Sequence, residues 1–306
     1  MMKPRVLFLV GPTAIGKTDI ALQLAAKINA EIISCDSMQI YKGMEILTSK
    51  PALEVRKKIP HHLIDIVSCD KEYNVSKYRL AAIRKINEII KRGRVPLFVG
   101  GSGLYMSVVI YGIFKAKTED KDIRQRLYKE AQDSGAHKLY DKLMKVDPRA
   151  AQKIHPNDIK RIIRALEVFE LTGKPISQLQ ATRKGLADKY DIKILGLDMP
   201  RDELYKRIDE RVDEMFKRGL VEEVKKLLKL KLSQTARAAI GLNEIKGFLE
   251  GLYDLEEAKK LMKRNTRQYA KRQMTWFRKD RRIIWIDITS KEKTIKIAET
   301  LWKKLS

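Results

Sequence analysis

The sequence predicts an α/β protein, a parallel sheet flanked by helices and carrying a mostly helical insertion. Three observations lead there. Short β-branched runs alternate with helical periods through the first hundred residues. The first run ends in a glycine-rich turn that opens a helix, and between about Phe114 and Asp188 strand-like pattern gives way to helical pattern. A length of 306 residues suits two domains, or one large domain with an insertion. Hydrophobic residues make up 44% of the chain, enough for a real core, which excludes wholesale disorder.

Taken in order, Arg5–Val10 (RVLFLV) reads as a buried parallel strand stopped by Gly11-Pro12. Asp19–Ile28 places Ile20, Leu24 and Ile28 at helical spacing, with Ala25 beside them. Glu31–Ser34 reads as a second strand, and Val95–Val99, again ended by glycines, as a third. Between them Val75–Lys91 is an amphipathic helix with Tyr78, Ala82, Ile86 and Ile89 or Ile90 on one face. The insertion reads as helices over Ile123–Gly135, Ala136–Val146, Pro148–Lys153 and Asn157–Thr172, broken at Ser134-Gly135, Asp147-Pro148 and Thr172-Gly173. A strand-like run returns at Ile192–Leu197. Helices follow at Arg201–Arg218, Val221–Lys231 and Leu255–Lys279, and a strand at Ile283–Ile288 closes the pattern. The expected division is a core of residues 1–116 and 192–306 and an insertion of 117–191.

Charge narrows the partners. With 64 Lys and Arg against 39 Asp and Glu, the net charge of +25 calls for a polyanion. Much of it is concentrated: Lys259 to Arg282 holds eleven basic residues and one acid, Asp280. At helical spacing Arg264, Arg267, Lys271 and Arg278 share a face, with Met262, Tyr269 and Trp276 on another. The longest apolar runs, Val6–Val10 and Val95–Val99, fall far short of the roughly 20 residues a spanning helix needs. The N-terminus fits no signal peptide. Two cysteines, Cys35 and Cys69, are too few for a zinc site or a disulfide framework. A cytoplasmic protein without membrane attachment is expected, and a monomer, since no assembly segment stands out.

Gly11, Pro12, Thr13, Ala14, Ile15, Gly16, Lys17 and Thr18 satisfy G-x-x-x-x-G-K-[ST] between a predicted strand and a predicted helix. The glycines let successive N–H groups turn toward phosphate oxygens, and the helix N-terminus adds partial positive charge. Lys17 neutralises phosphate charge, and the Thr18 hydroxyl can enter a Mg²⁺ shell completed by phosphate and water. The core is therefore expected to be P-loop NTPase-like, with ATP or GTP as the default ligand. Asp36 follows the second strand, at the sheet mouth where open α/β folds bind ligands. Its chemistry allows a Mg²⁺ ligand, a proton acceptor or a turn cap.

Asp36-Ser37-Met38-Gln39-Ile40-Tyr41 resembles the DSMQxY segment of the tRNA dimethylallyltransferases. The resemblance extends to the phosphate loop, Pro60-His61-His62-Leu63-Ile64-Asp65 and Gly100-Gly101-Ser102-Gly103-Leu104-Tyr105. It continues through His155-Pro156-Asn157-Asp158, Arg164–Val168, Arg207–Val212 and Tyr269–Arg278, in family order along the chain. There are three departures inside it. Ile15 stands for the usual Ser, Ser102 for Thr, and Leu47 for a glycine, which puts that loop's backbone in question. With no zinc-finger extension beyond Ser306, a prokaryotic-type enzyme is implied.

The resemblance implies that the loop holds the diphosphate of dimethylallyl diphosphate. The five-carbon group moves to N6 of the adenosine at tRNA position 37, beside the anticodon, in tRNAs reading codons that begin with U. Mg²⁺ at Thr18 and a cation, Arg211 in preference to Arg207 one turn before it, would meet the leaving diphosphate, with Ser102 near the leaving oxygen. Asp36 would take the proton from N6, and Asp36, Ser37, Met38 and Gln39 would contact the extruded base. For the anticodon stem-loop the implied contacts are Ser102, Arg124, Lys160, Arg161, Ile162, Ile163, Arg164, Lys271, Arg272, Gln273 and Arg278. Tyr105 and Trp276 are read as core residues in preference to base-stacking platforms. His61 and His62 are given structural rather than metal-binding roles.

Overall fold

The computed structural model describes residues 3–114 and 120–288. In chain order the first elements are β1 (Arg5–Val10), α1 (Lys17–Ile28), β2 (Ala30–Ser34), α2 (Leu53–Lys58), β3 (His61–His62), α3 (Val75–Lys91), β4 (Val95–Gly100) and α4 (Gly103–Tyr111). Five helices follow: α5 (Lys121–Ser134), α6 (Ala136–Val146), α7 (Pro148–Ala151), α8 (Ile159–Thr172) and α9 (Ile176–Ala181). The last elements are β5 (Asp191–Asp198), α10 (Arg201–Lys217), α11 (Leu220–Leu228), α12 (Leu242–Leu249), α13 (Leu255–Phe277) and β6 (Ile283–Asp287). The chain divides into two compact units, one from its beginning to Ile110 and from Leu186 onward, the other Tyr111–Gly185. The return lies a few residues earlier than sequence pattern suggested, because Leu186 is already buried and its N–H donates to the Ile110 carbonyl at 2.9 Å. The expected boundary at 116/117 falls outside the described residues.

The first unit is a six-stranded sheet, wholly parallel, in the order β3-β2-β4-β1-β5-β6. The run Val6–Val10 is buried throughout, as an interior strand covered on both faces requires. Phe8 is in register with Phe98 of β4, and their rings stack at 4.5 Å. Ile20, Leu24 and Ile28 of α1 and Leu204 and Ile208 of α10 join the core cluster that includes Leu7 and Leu9. The predicted face of α3 is the buried one, Tyr78, Ala82, Ile86 and Ile89, and the Tyr78 hydroxyl donates to the Ser34 carbonyl at 2.9 Å.

Four helices escape the sequence reading. Helix α4 has Tyr105, Met106 and Val108–Ile110 buried, so no polar face marks its period. Helices α2 and α9 are only six residues long, and α12 eight. The two-residue strand β3 is also unmarked. Beside it Glu31, nearly buried, receives His62 Nε2 at 2.6 Å, Arg92 through two nitrogens at 2.9 and 2.8 Å, and Arg94 at 3.3 Å. Burial alone would raise this carboxyl; Arg92 and His62 outweigh it and hold the pKa down to about 2.

A second apolar cluster joins Ile40, Tyr41, Met44 and Leu47 to residues of α10, α11, α12 and α13. The loop around Leu47 is pinned by one carboxylate: Glu223 accepts from the N–H groups of Glu45, Ile46 and Leu47 at 3.0, 2.8 and 2.8 Å. Leu47 is absent from the residues with positive φ, so the missing glycine costs the loop nothing; its side chain is buried in this cluster. In the second unit Leu127, Leu139, Leu143, Ile162, Ile163 and Leu166 form the core. Asp147 there caps α7 through Ala150 N and accepts from Ser177 N at 2.8 Å and Oγ at 2.6 Å.

The ends of β2 and β4 meet without a side chain between them. A Cβ on Gly100 would lie 2.1 Å from the Cys35 carbonyl oxygen, so the two strand ends would have to part. Gly100→Ala is expected to cost about 2–3 kcal/mol of stability, read from denaturant unfolding, with a normal m-value showing that the fold itself survives.

Candidate active site

Three neighbouring strands end at one mouth. Beyond β1 lies the loop Gly11–Gly16, beyond β2 the turn starting at Asp36, and beyond β4 the turn Gly100–Ser102. In the first of these Ala14 (φ 63°) and Gly16 (φ 92°) are left-handed, the backbone alternation that aims N–H groups into an anion-binding concavity. Gly16 is also the N-cap of α1 and offers no side chain to its first turn. Ile15 is buried in the core, so this position serves the loop by its backbone alone.

The mouth opens into a chamber of about 530 Å³ lined by the loop residues Thr13–Thr18, with Asp36, Gln39, Ser49, Arg207 and Arg211. Lys17 Nζ donates to the carbonyls of Gly11 and Pro12 at 3.0 and 2.6 Å. Burial and then the nearby Arg211 charge depress its pKa to about 7, with Asp36 opposing. Arg207 is committed to Glu203 at 2.7 Å, whereas Arg211 hydrogen-bonds Ser49 Oγ at 3.1 Å and has no carboxylate partner among the described residues. The cation in reserve is Arg211.

A second chamber, about 300 Å³, shares Thr13, Asp36, Thr48, Arg211, Met215 and Tyr269 with the first. Its remaining walls are chiefly apolar, among them Met38, Leu47, Val212, Ile240 and Met262, with Arg272 also present. Asp36 stands on the common wall. Its Oδ1 accepts from Met38 N at 2.8 Å and Gln39 N at 3.4 Å, the turn-capping role, while no hydrogen bond to Oδ2 is found among the described residues. The cap and a proton-accepting role are thus compatible, one oxygen for each. Tyr269 faces both chambers, and burial followed by the Asp36 charge holds its phenol protonated well above the usual range. Burial likewise pushes the Cys35 thiol up to about 12, so this cysteine is no nucleophile.

Several expected contacts have other work. Gln273 is buried: its Oε1 accepts from Thr13 N at 2.9 Å and its Nε2 donates to the Gly101 carbonyl at 3.0 Å. It braces the phosphate loop against the glycine turn, and both ends of its amide are taken. Ser102 Oγ accepts from Ser37 N at 3.0 Å and so steadies the Asp36 turn, directly after Gly100 and Gly101, which line the first chamber. Gln39 is held by Ser34 Oγ at 2.9 Å and donates to the Thr48 carbonyl at 3.4 Å. The side chains of Ile162 and Ile163 are buried in the core of their own unit, where helical spacing puts them beside Leu166.

The basic residues divide in the same way. Arg124 and Arg164 both reach the buried Glu167 at 2.9 Å, while Lys160 and Arg161 are exposed. On α13 the expected basic face is mixed, because Arg267 pairs with Asp209 at 2.8 Å and Arg278 with Asp198 at 3.3 Å, whereas Lys271 and Arg272 are exposed. Tyr105 is buried against Tyr78, as expected of a core residue. Trp276 is not: 44% of its surface is exposed. The signal missed at Gln273 was a neutral amide on the buried stripe of a basic helix, which requires an internal polar partner.

Among the described residues no group of three His, Cys, Asp or Glu is placed to hold a metal ion. The Thr18 hydroxyl and the Asp36 carboxylate line the anion chamber, oxygen donors that fit a hard divalent cation taking its other ligands from phosphate and water. No helix among the described residues is long and apolar enough to cross a membrane.

The family model described as IPP transferase matches residues 39–280, and one described as isopentenyl transferase matches residues 4–61. This chain belongs to the IPP transferase family. Over 288 residues the chain is 48% identical to a protein of Halothermothrix orenii named tRNA dimethylallyltransferase, covering 93% of this chain and 88% of that one. Among solved structures, the full-length tRNA isopentenylpyrophosphate transferase of Bacillus halodurans superposes with a TM-score of 0.73 at 42% identity, covering 99% of this chain and 97% of that one. A eukaryotic dimethylallyltransferase, described as acting on tRNA, gives a TM-score of 0.80 at 32% identity, over 94% of this chain and 74% of that one. The P-loop core of an IPP transferase thus houses the two chambers.

Replacing Gln273 by Ala leaves Thr13 N and Gly101 O without their partner and is expected to cost about 1–3 kcal/mol of stability, together with weaker diphosphate binding, by denaturation and titration calorimetry. A second expectation concerns Lys17. With a pKa of about 7 it loses its charge as pH rises past neutrality, and a diphosphate beside it restores the ammonium. Binding of a diphosphate monoester should therefore take up close to one proton above pH 7, and diphosphate affinity should fall as pH rises further. Calorimetry in buffers of different ionisation enthalpy reads the uptake, which Lys17→Met should abolish.

Proposed function

We propose that this chain transfers the dimethylallyl group of dimethylallyl diphosphate to N6 of the adenosine at tRNA position 37, in tRNAs reading codons that begin with U, and releases diphosphate. The observation carrying this reading is the common wall: Asp36 and Arg211 border both an anion chamber and a chamber of apolar walls. A kinase needs its charge stabilisation around a transferred phosphoryl group. Here the bond that breaks is C–O, and the bonding pair leaves with the whole diphosphate.

The loop amides, Lys17 and Arg211 stabilise the charge that develops on the departing diphosphate. The apolar walls hold the five-carbon chain away from water, so that the allylic carbon can gain cationic character without being hydrolysed. N6 is a poor nucleophile because its lone pair is delocalised into the ring. It bonds to the allylic carbon as the C–O bond breaks, and its proton passes to Asp36, whose backbone turn is steadied by Ser102. The Thr18 hydroxyl would help hold Mg²⁺, which would supply further charge neutralisation at the diphosphate.

The anticodon stem-loop is read as meeting Lys271 and Arg272 on α13, with Lys160 and Arg161 of the helical unit as further phosphate contacts. The working form in this reading is a monomer. The two free, buried cysteines accord with a reducing cytoplasm.

The test is transfer of label from dimethylallyl diphosphate to an anticodon stem-loop with adenosine at position 37, against a guanosine control and a parallel ATP-hydrolysis assay. Label in the adenosine substrate alone is expected; RNA-stimulated ATP hydrolysis without transfer would overturn the reading. Asp36→Asn retains an oxygen for the turn and removes the base. It should lower kcat by about 10²–10⁴-fold while leaving stem-loop binding nearly unchanged, and wild-type activity in this variant would refute the general-base role.

A further inference from the structure

Trp276 lies near the C-terminal end of α13, a position where burial was expected. Instead the indole is 44% exposed and borders a shallow surface concavity together with Gln268, Lys271, Arg272, Thr275 and Lys279. Its inner edge rests on backbone. A Cβ on Gly103 would fall 2.1 Å from the indole Cδ1 and 2.3 Å from Nε1, so glycine at the start of α4 is what lets the ring lie down there. The ring is thereby set against a rigid support, directly after Ser102 and the turn that Ser102 steadies.

The surroundings define what such a ring would meet. Lys271, Arg272 and Lys279 make no ion pair among the described residues, in contrast to Arg267 and Arg278 on the same helix segment. Arg272 lines both this concavity and the chamber that holds Asp36. A polyanion delivering a base into that chamber would meet Arg272, and Trp276 borders the concavity on the other side of that residue's reach. An exposed aromatic ring among unpaired cations is the combination that holds single-stranded nucleic acid, by stacking on the base and neutralising the phosphates.

We propose that Trp276 is a stacking platform for an unpaired nucleobase adjacent to the extruded adenosine, with Lys271 and Lys279 on the flanking phosphates. The proposal rests on the RNA-modifying reading above. Trp276 is a positioning residue in this role: it holds the loop open and in register and takes no part in bond making. Stacking of this kind tolerates any base, since every base presents a π face. The platform therefore contributes affinity and register rather than sequence choice.

The test is a double-mutant cycle on binding. Anticodon stem-loops carrying one abasic site, at each unpaired position in turn, are titrated against the full-length protein and its Trp276→Phe, Trp276→Leu and Trp276→Ala variants. With the wild type, one abasic position beside the modified adenosine should weaken binding by on the order of tenfold or more. Trp276→Ala should weaken the intact stem-loop similarly and become indifferent to that same abasic site. Trp276→Phe should retain most of the coupling and Trp276→Leu should not, while the affinity for dimethylallyl diphosphate stays unchanged in all three. Full rescue by Leu, or loss of diphosphate affinity along with RNA affinity, would make Trp276 a mere seal over the Gly103 turn and overturn the proposal. So would additive effects at every abasic position. If the wild type bound no stem-loop at all, the RNA-modifying reading would fail with it; binding without coupling would sink the platform alone.

Discussion

One carboxamide sets the spacing on which the rest of the site depends. Gln273 accepts from Thr13 N and donates to the Gly101 carbonyl, linking the loop after β1, the turn after β4 and helix α13. Its neutrality matters. A charged side chain in this place would be desolvated beside an anion-binding loop, whereas an amide satisfies one donor and one acceptor at no electrostatic cost. With the glycine turn fixed, Ser102 can hold Ser37 N, and the Asp36 turn is in turn located. The anion loop and the proton acceptor are thus parts of one hydrogen-bonded frame.

Helix α13 shows how a strongly basic chain divides its charge. Lys263 and Arg267 turn inward to Asp213 and Asp209 of α10, ion pairs that fasten the helix to the core. Tyr269 and Gln273 serve the mouth, and Lys271, Arg272 and Lys279 remain for a partner. In the helical unit the same division separates Arg124 and Arg164, which neutralise Glu167, from exposed Lys160, while Arg161, also exposed, lies 4.0 Å from the Asp158 carboxylate. Burial would raise the Glu167 carboxyl, yet its arginines and the Asp120 N–H bring it below the usual range. Net charge accordingly overstates the cationic surface available to RNA.

What could be read from the sequence was what is local in it. The strand–loop–helix of the phosphate site, the buried face of α3 and the parallel core follow from spacing within a dozen residues. Helix α4, apolar over most of its length, carries no period to read. The roles of Gln273 and Ser102 were hidden because their partners lie 260, 172 and 65 positions away. Resemblance placed these residues at the site but not what they touch there. It also carried Ile162 and Ile163 into an RNA-contacting segment, although their own apolar character assigns them to a core. Trp276 was misread for a different reason: a preference for burial says nothing of a glycine backbone, far away in sequence, that receives one edge of the ring.

The Glu31 cluster has a consequence for the company the molecule keeps. Strand β3 is the outermost of its side, and an open strand edge is a template onto which another chain can add. Here that edge is only two residues long, and charged groups crowd its end: His62, Arg92 and Arg94 converge on Glu31. An incoming strand would find too few free backbone groups to register on and would have to strip water from a cluster of guanidinium groups. This edge of the sheet is thereby protected from edge-to-edge growth.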